Sequence, residues 1–391
     1  MNIAMFETEE WERQACVRLE PHHRVRCVAE PLDVRNAADF ADAEVASPFV
    51  NSRLDASVLS HFPRLKLIAT RSTGYDHIDL HYCGTHGIIV SNVPDYGDST
   101  VAEHVFALLL AVARNLVEAV ERTRRGRFTQ TGLRGFELRD RVIGVVGTGR
   151  IGLRVIEIAR GFGMDVLAYD LQPDHAAAAR LNFAYASLDQ LLSDADVVTL
   201  HVPATSGTHR MLSDREFSRM KPGAILINTA RGNIIDIEAM VRALADRRLR
   251  AAGLDVLPQE PLIREEAAIF HQEAVRDVED FKALVANNVL LRFPNVIVTP
   301  HNAYNTEAAL ERIIATTLAN IEAFAGEATE RCIGALKLAL KAISPSSFRG
   351  LRCLRRPRPA VHPVLMIMRD GQAARWSGRP GAGRYAGRRL R

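Results

Sequence analysis

Three polar residues, Arg231, Glu260 and His301, stand where short apolar runs end, and their types suit one piece of chemistry. Arg231 lies in N-T-A-R-G, directly after one run. His301 lies in V-I-V-T-P-H-N-A, after another. Glu260 follows Asp255 by five residues in G-L-D-V-L-P-Q-E-P. An arginine fork grips a carboxylate with two hydrogen bonds and polarises a neighbouring carbonyl. A histidine passes a proton near neutral pH. A glutamate on the other ring nitrogen fixes the tautomer and favours the protonated ring. Together they suit the reversible reduction of a 2-keto acid, provided that a hydride donor sits beside them.

A site for that donor is written in Arg141–Gly152, R-V-I-G-V-V-G-T-G-R-I-G. Val142–Val146 reads as a buried strand, and Gly147, Gly149 and Gly152 follow at G-x-G-x-x-G spacing before a helical pattern. The first glycine permits the tight turn, the second admits a pyrophosphate, and the third lets helix and strand pack closely. The helix N-terminus then offers free N–H groups to the phosphates. A second strand, Asp165–Tyr169, ends in Asp170, 18 residues past Gly152. A carboxylate there accepts from a ribose 2′-hydroxyl and repels a 2′-phosphate, and Leu171 and Gln172 supply no arginine. The cofactor expected is therefore NAD.

The elements that must position these groups alternate along the chain. Asn2–Phe6, Val25–Ala29, Leu67–Thr70 and Ile88–Val90 read as strands of a small βα domain, with a helix over Leu54–His61. From 141 to 300 the strands are Val142–Val146, Val166–Tyr169, Val197–Leu200, Ala224–Asn228, Ala252–Asp255 and Val296–Thr299, with helical patterns such as Leu188–Ser193 and Ile237–Asp246 between them. The fold class expected is α/β, two Rossmann-like doubly wound domains with parallel sheets and the active site in the cleft between them. The domains are 1–99 plus 302–333 for substrate and 100–301 for NAD. Val101–Ala119 reads as one buried helix with Ser99 or Thr100 as its cap, and 302–333 as one long amphipathic helix returning to the first domain. Residues 262–291 form an acidic, helix-prone insertion. His104 is read as packed or helix-capping, and His201 as holding backbone near the cofactor.

Composition sets bounds. The 391 residues are 47% hydrophobic and 25% charged. Residues 334–391 carry 14 Lys and Arg against one acid, Asp370; residues 1–333 then hold 36 basic and 45 acidic side chains, a net of −9. The body is acidic, so nucleic acid is not an expected partner. The basic tail, 334–391, is expected to be disordered and dispensable, an arm or an out-of-frame extension. No apolar run is long enough to span a bilayer and no signal segment opens the chain, so no membrane is expected. Five scattered cysteines without a C-x-x-C pair fit a reducing cytoplasm and predict no metal site.

With these motifs in view, the sequence resembles the D-isomer-specific 2-hydroxyacid dehydrogenases, and within them the D-lactate dehydrogenase type, over roughly residues 40–330. The resemblance implies that Gly147, Thr148, Gly149, Arg150, Ile151, Gly152 and Asp170 hold NAD, together with Val202, Pro203, Thr229, Ala230 and Asp255 on its nicotinamide side. It implies that Arg231, Glu260 and His301 are the substrate-binding arginine, the histidine-orienting glutamate and the proton donor. R-S-T-G is similar to the loop that holds the substrate carboxylate, at Thr73 and Gly74. V-P-D-Y resembles the V-P-x-Y of the lactate type, which implies that Tyr96 lines the substrate pocket, and Tyr304 stands where an aromatic often closes it in that family. Asp98 stands where a proline is common after that tyrosine. The implied reaction is hydride transfer between NADH and a short 2-keto acid, pyruvate to D-lactate first, in a homodimer. Glyoxylate or hydroxypyruvate reduction and 3-phosphoglycerate dehydrogenation are alternatives, as is an NAD-sensing, corepressor-like binding protein; the intact trio argues against the last.

Overall fold

The computed structural model describes residues 1–258, 260 and 278–326. The tail 334–391 and residues 262–277 of the insertion lie outside the described residues. Two all-parallel sheets organise the chain. The first has five strands, β1 (Asn2–Met5), β2 (Arg24–Cys27), β3 (Val45–Ser47), β4 (Leu67–Ala69) and β5 (Ile89–Ser91), in the order β2-β1-β3-β4-β5. The second has seven: β6 (Val142–Val146), β7 (Asp165–Tyr169), β8 (Ala184–Tyr185), β9 (Val197–Leu200), β10 (Ala224–Asn228), β11 (Leu249–Leu254) and β12 (Val296–Val298). Their order is β12-β11-β10-β9-β6-β7-β8. Both are Rossmann-like doubly wound sheets. Strand order reverses between β1 and β3 in one and between β6 and β9 in the other, and α/β proteins bind ligands outside the carboxyl ends of strands at such reversals.

The strands follow from burial on both faces. Every residue of β9 and β10 is buried, which continuous apolar runs such as V-V-T-L and A-I-L-I-N make possible. Two helix expectations are corrected. Val101–Ala119 is two helices, Asp98–Ala113 and Leu116–Arg124, bent by 63°. Asn115 between them has φ +49°, the left-handed conformation that asparagine tolerates and that ends a helix. The first helix begins at Asp98 after Gly97, so Ser99 and Thr100 lie inside it and do not cap it. The described part of the C-terminal helix runs Glu307–Ala325. It starts where Thr306 accepts from the Ala309 amide, and Asn302–Thr306 form a turn.

That last helix returns to the first sheet. Its Ile314, Leu318 and Ile321 pack with Ile3, Met5, Val45 and Leu67 in one buried cluster. The Asp98–Ala113 helix instead joins the second sheet. Its Val105, Phe106, Leu108 and Leu109 share a core with Ile143, Val145, Val155 and Ile227.

Candidate active site

The glycine turn has the geometry its residues require. Gly147 leaves β6 at φ +96°, and a β-carbon there would lie 2.7 Å from the His201 carbonyl. A β-carbon on Gly152 would lie 2.0 Å from the Gly147 carbonyl, so the helix Arg150–Gly161 packs close only because both are glycine. Gly149 faces open space. It is the N-cap of that helix without a side-chain cap, so the first N–H groups point to where an anion sits. Asp170, at the end of β7, accepts from the Thr148 amide at 2.7 Å, the Thr148 hydroxyl at 3.0 Å and the Gln172 amide at 2.9 Å. Burial opposes its charge, but these donors and the Leu171 amide outweigh it and hold its pKa below the ordinary value. Open space at Gly149, an uncapped helix and an ionised acid beside it fit a dinucleotide. Sequence reasoning missed Tyr185 on β8. Its hydroxyl bonds the Thr148 hydroxyl at 2.8 Å and accepts from the Asp174 amide, so it braces the same turn.

The neighbouring strand ends complete this edge. His201 follows β9, its amide donating to the Val146 carbonyl and its Nε2 lying 2.9 Å from the Thr199 hydroxyl. Burial pushes its pKa down to about 3, so the ring is neutral and structural. Val202 follows it against Gly147. At the end of β10, fully buried Asn228 accepts from the Ala230 amide and donates to the Arg231 carbonyl. It fixes the turn Thr229-Ala230-Arg231, another role not visible in the sequence. The Thr229 hydroxyl oxygen is buried and finds no partner among the described residues.

Arg231 reaches across to the first sheet. Its Nε donates to Asp76 at 3.0 Å and its Nη1 to the Ala230 carbonyl at 2.8 Å. A β-carbon on Gly74 would lie 1.9 Å from its Nη2, so the guanidinium lies against the backbone of the Thr73–Gly74 loop. The next residue, Gly232, packs on the Leu257–Pro258 backbone. The Leu257 amide donates to Glu260 Oε1 at 3.1 Å, and the other oxygen, Oε2, lies 2.8 Å from His301 Nδ1. Three of the expected residues are thus linked through one short run of backbone.

His301 has φ +52°, sparsely populated for any residue with a β-carbon. Asp255 holds it there. Its carbonyl accepts from the His301 amide at 2.9 Å, and its carboxylate accepts from the amides of Asn302 and Ala303 and from the Thr299 hydroxyl. Only 1% exposed, Asp255 has both oxygens occupied within the protein, so its visible task is to shape the histidine loop. Burial raises its pKa, but hydrogen bonds from His104, Thr299, Ala303 and Asn302 more than offset this and leave it lowered. His104 is neither a cap nor simple packing: its Nε2 bonds the Thr299 hydroxyl at 3.0 Å and faces Asp255 at 3.4 Å.

Beside the Thr73–Gly74 loop, burial pushes the Tyr96 pKa up, against a smaller opposite pull from Thr73. The Thr73 hydroxyl donates to the Val93 carbonyl, and Arg312 donates to the Tyr96 carbonyl. Tyr304 meets Phe49, which the sequence did not single out, edge-to-face at 5.5 Å. Arg71 opens the loop from beneath. It is 1% exposed, pairs with Glu12 at 3.2 Å, and donates to the carbonyls of Phe6, Glu7 and Ser47. Arg150, expected at the cofactor, pairs here with Asp95 and Asp98, each at 2.7 Å. Among the described residues no cluster of His, Cys, Asp and Glu could hold a metal ion, and no single helix is long and apolar enough to cross a membrane.

A dinucleotide turn beside an arginine and a glutamate-bound histidine defines a nicotinamide-dependent oxidoreductase. Residues 106–303 match the model of the D-isomer specific 2-hydroxyacid dehydrogenase NAD binding domain. The chain is 37% identical over 300 residues to the D-lactate dehydrogenase kk1H of Curvularia clavata, covering 75% of this chain and 82% of that one. It is 34% identical over 290 residues to the glyoxylate reductase of Thermococcus gammatolerans, covering 72% and 80%. The crystal structure of Aquifex aeolicus D-lactate dehydrogenase, complexed with NAD and lactic acid, superposes with a TM-score of 0.73 at 34% identity, covering 88% of this chain and 97% of that one. The chain belongs to the D-isomer specific 2-hydroxyacid dehydrogenases, and is an NAD-dependent oxidoreductase acting on 2-hydroxy acids.

Proposed function

We propose that the enzyme reduces a short 2-keto acid, pyruvate first, to the D-2-hydroxy acid. The observation that carries this is the Glu260–His301 pair at 2.8 Å, tied by backbone to an arginine that lies against the Thr73–Gly74 loop. NADH supplies the hydride when bound, with Gly147–Gly152, Asp170, Val202, Pro203, Thr229 and Ala230 as its cradle. The substrate carboxylate takes the Arg231 guanidinium and the loop amides of Thr73 and Gly74. The same guanidinium stabilises negative charge developing on the keto oxygen. Glu260 holds Nδ1 of His301, so Nε2 is the nitrogen that delivers a proton to that oxygen. Tyr96, Tyr304 and Phe49 wall the substrate's side chain, and the close Phe49–Tyr304 contact favours a small one. A panel of 2-keto acids with chiral analysis of the product is the test. Fastest turnover of pyruvate to D-lactate is expected. A clear preference for glyoxylate or a bulky keto acid would replace the substrate, and NADH binding without turnover of any would leave a sensor.

The same reading extends to assembly and place. A second copy of the chain covers the Leu116–Arg124 helix, where Leu116, Val117 and Val120 are 52%, 47% and 40% exposed. Light scattering would then give twice the chain mass. Free Cys16, Cys27 and Cys83 support a reducing cytoplasm.

A further inference from the structure

The loop Asn92–Asp98 joins the substrate side of the site to the cofactor side. Toward substrate it is fastened to the Ser72–Thr73 backbone: the Val93 amide donates to the Ser72 carbonyl at 3.0 Å, and the Asn92 side chain donates to the Thr73 carbonyl at 2.9 Å. The Thr73 hydroxyl donates back to the Val93 carbonyl at 2.8 Å. Toward the cofactor it is fastened by Arg150, with Nη1 on Asp95 and Nε on Asp98.

Arg150 occupies an unfavourable place for a cation. It is the first residue of the glycine-motif helix, which has no acid in its first turn. The partial positive charge of a helix N-terminus repels a guanidinium there unless an anion joins it. Two anions can serve. One is the dinucleotide pyrophosphate, drawn to the same N-terminus. The other is the carboxylate pair Asp95 and Asp98, supplied by the chain. Asp98 is itself the first residue of the Asp98–Ala113 helix, which packs beside the glycine-motif helix. The three side chains are 60%, 57% and 27% exposed for Arg150, Asp95 and Asp98, so the pairing is solvated and reversible.

Resting on the assignment of this turn to NAD, we propose that Asp95 and Asp98 compete with the cofactor pyrophosphate for Arg150, so that dinucleotide binding unfastens the loop that carries Tyr96. The carboxylates weaken cofactor binding, and the loop they occupy transmits that binding to Thr73. By linkage the coupling is reciprocal: a substrate-side ligand that shifts the loop changes cofactor affinity by the same factor.

The test measures NADH binding to the full chain by calorimetry and nicotinamide fluorescence at low ionic strength, with inorganic pyrophosphate as the displacing probe. Asp95→Asn/Asp98→Asn is expected to bind NADH about fivefold more tightly, the sum of two exposed ion pairs. Asp95→Asn alone, outside any helix, is expected to give part of that gain and guards against loss of fold from the Asp98 change. Arg150→Gln is expected to weaken binding, and adding both Asp→Asn changes to it to recover little. In the wild type, oxamate, an unreactive pyruvate isostere, shifts NADH affinity, and this shift shrinks in the Asp→Asn variants. Unchanged or weaker NADH binding in those variants overturns the competition. So does an equal gain with and without Arg150, which would mean simple repulsion of the phosphates. If the wild type binds no NADH at all, the cofactor assignment fails, and this proposal with it.

Discussion

Two arginines flank the Ser72–Gly74 loop, and they divide the labour. Arg71 is 1% exposed, and Glu12 and three strand-end carbonyls surround it. Arg231 is 34% exposed on its side chain, is held by Asp76 and one carbonyl, and keeps its Nη2 beside Gly74. The same side chain is scaffold where its donors are consumed by the protein, and suits the substrate role proposed for Arg231 where they are not. The carboxylates divide likewise: Asp255 is enclosed, and Asp170 is partly open.

The largest expected effect is at the enclosed arginine. Arg71→Met strands Glu12, whose pKa burial already raises against the pull of Arg71, and breaking a buried pair costs about 3–5 kcal/mol. Thermal unfolding should show a large fall in Tm, partly recovered in Arg71→Met/Glu12→Leu. A small fall would erase the contrast. Arg231→Gln should do the reverse. It should lower kcat/KM roughly 100- to 1000-fold, as loss of an oxyanion donor does, and leave Tm nearly unmoved.

Asp255 sharpens the comparison through pH. Its folded pKa lies below the ordinary 3.8, so its stabilisation is fully present above that value and is lost as pH falls through the lower folded one. Asp255→Asn should lower stability near neutrality and flatten its decline below pH about 4, read from Tm against pH. An unchanged acid limb would show that the carboxylate is not the group being titrated. The smallest effect falls on Asp170. Asp170→Ala should improve NADPH binding relative to NADH by about fivefold, the worth of one charge contact near the surface. Equal use of both cofactors by the wild type would contradict its role.

Much of the second sheet was legible. Val142–Val146, Val197–Leu200 and Ala224–Asn228 are strands over the ranges their apolar runs predict, because burial on both faces leaves an unbroken signal. β3 (V-A-S) and β8 (A-Y) each hold a single bulky side chain and lack the apolar run that marked the other short strands, and with β8 went Tyr185. The break at Asn115 was hidden because apolar residues continue on both sides of it. In the site, the glycine spacing and the Glu260–His301 partnership could be read from residue types and places. The enclosure of Arg71, the bracing by Asn228 and the His104–Thr299 contact could not, since each joins residues distant in the chain or depends on burial.

The return of the Glu307–Ala325 helix to the first sheet also sets an order of assembly. On the ribosome, β1 to β5 emerge first, yet Ile314, Leu318 and Ile321, which close the core over Ile3 and Met5, come more than two hundred residues later. At ordinary elongation rates that delay is roughly ten to fifty seconds. The second sheet, contiguous from β6 to β12, can complete its core in that interval. The nascent first sheet waits with an apolar face uncovered, so a chaperone or a slowed codon run would act on the nascent chain in that window.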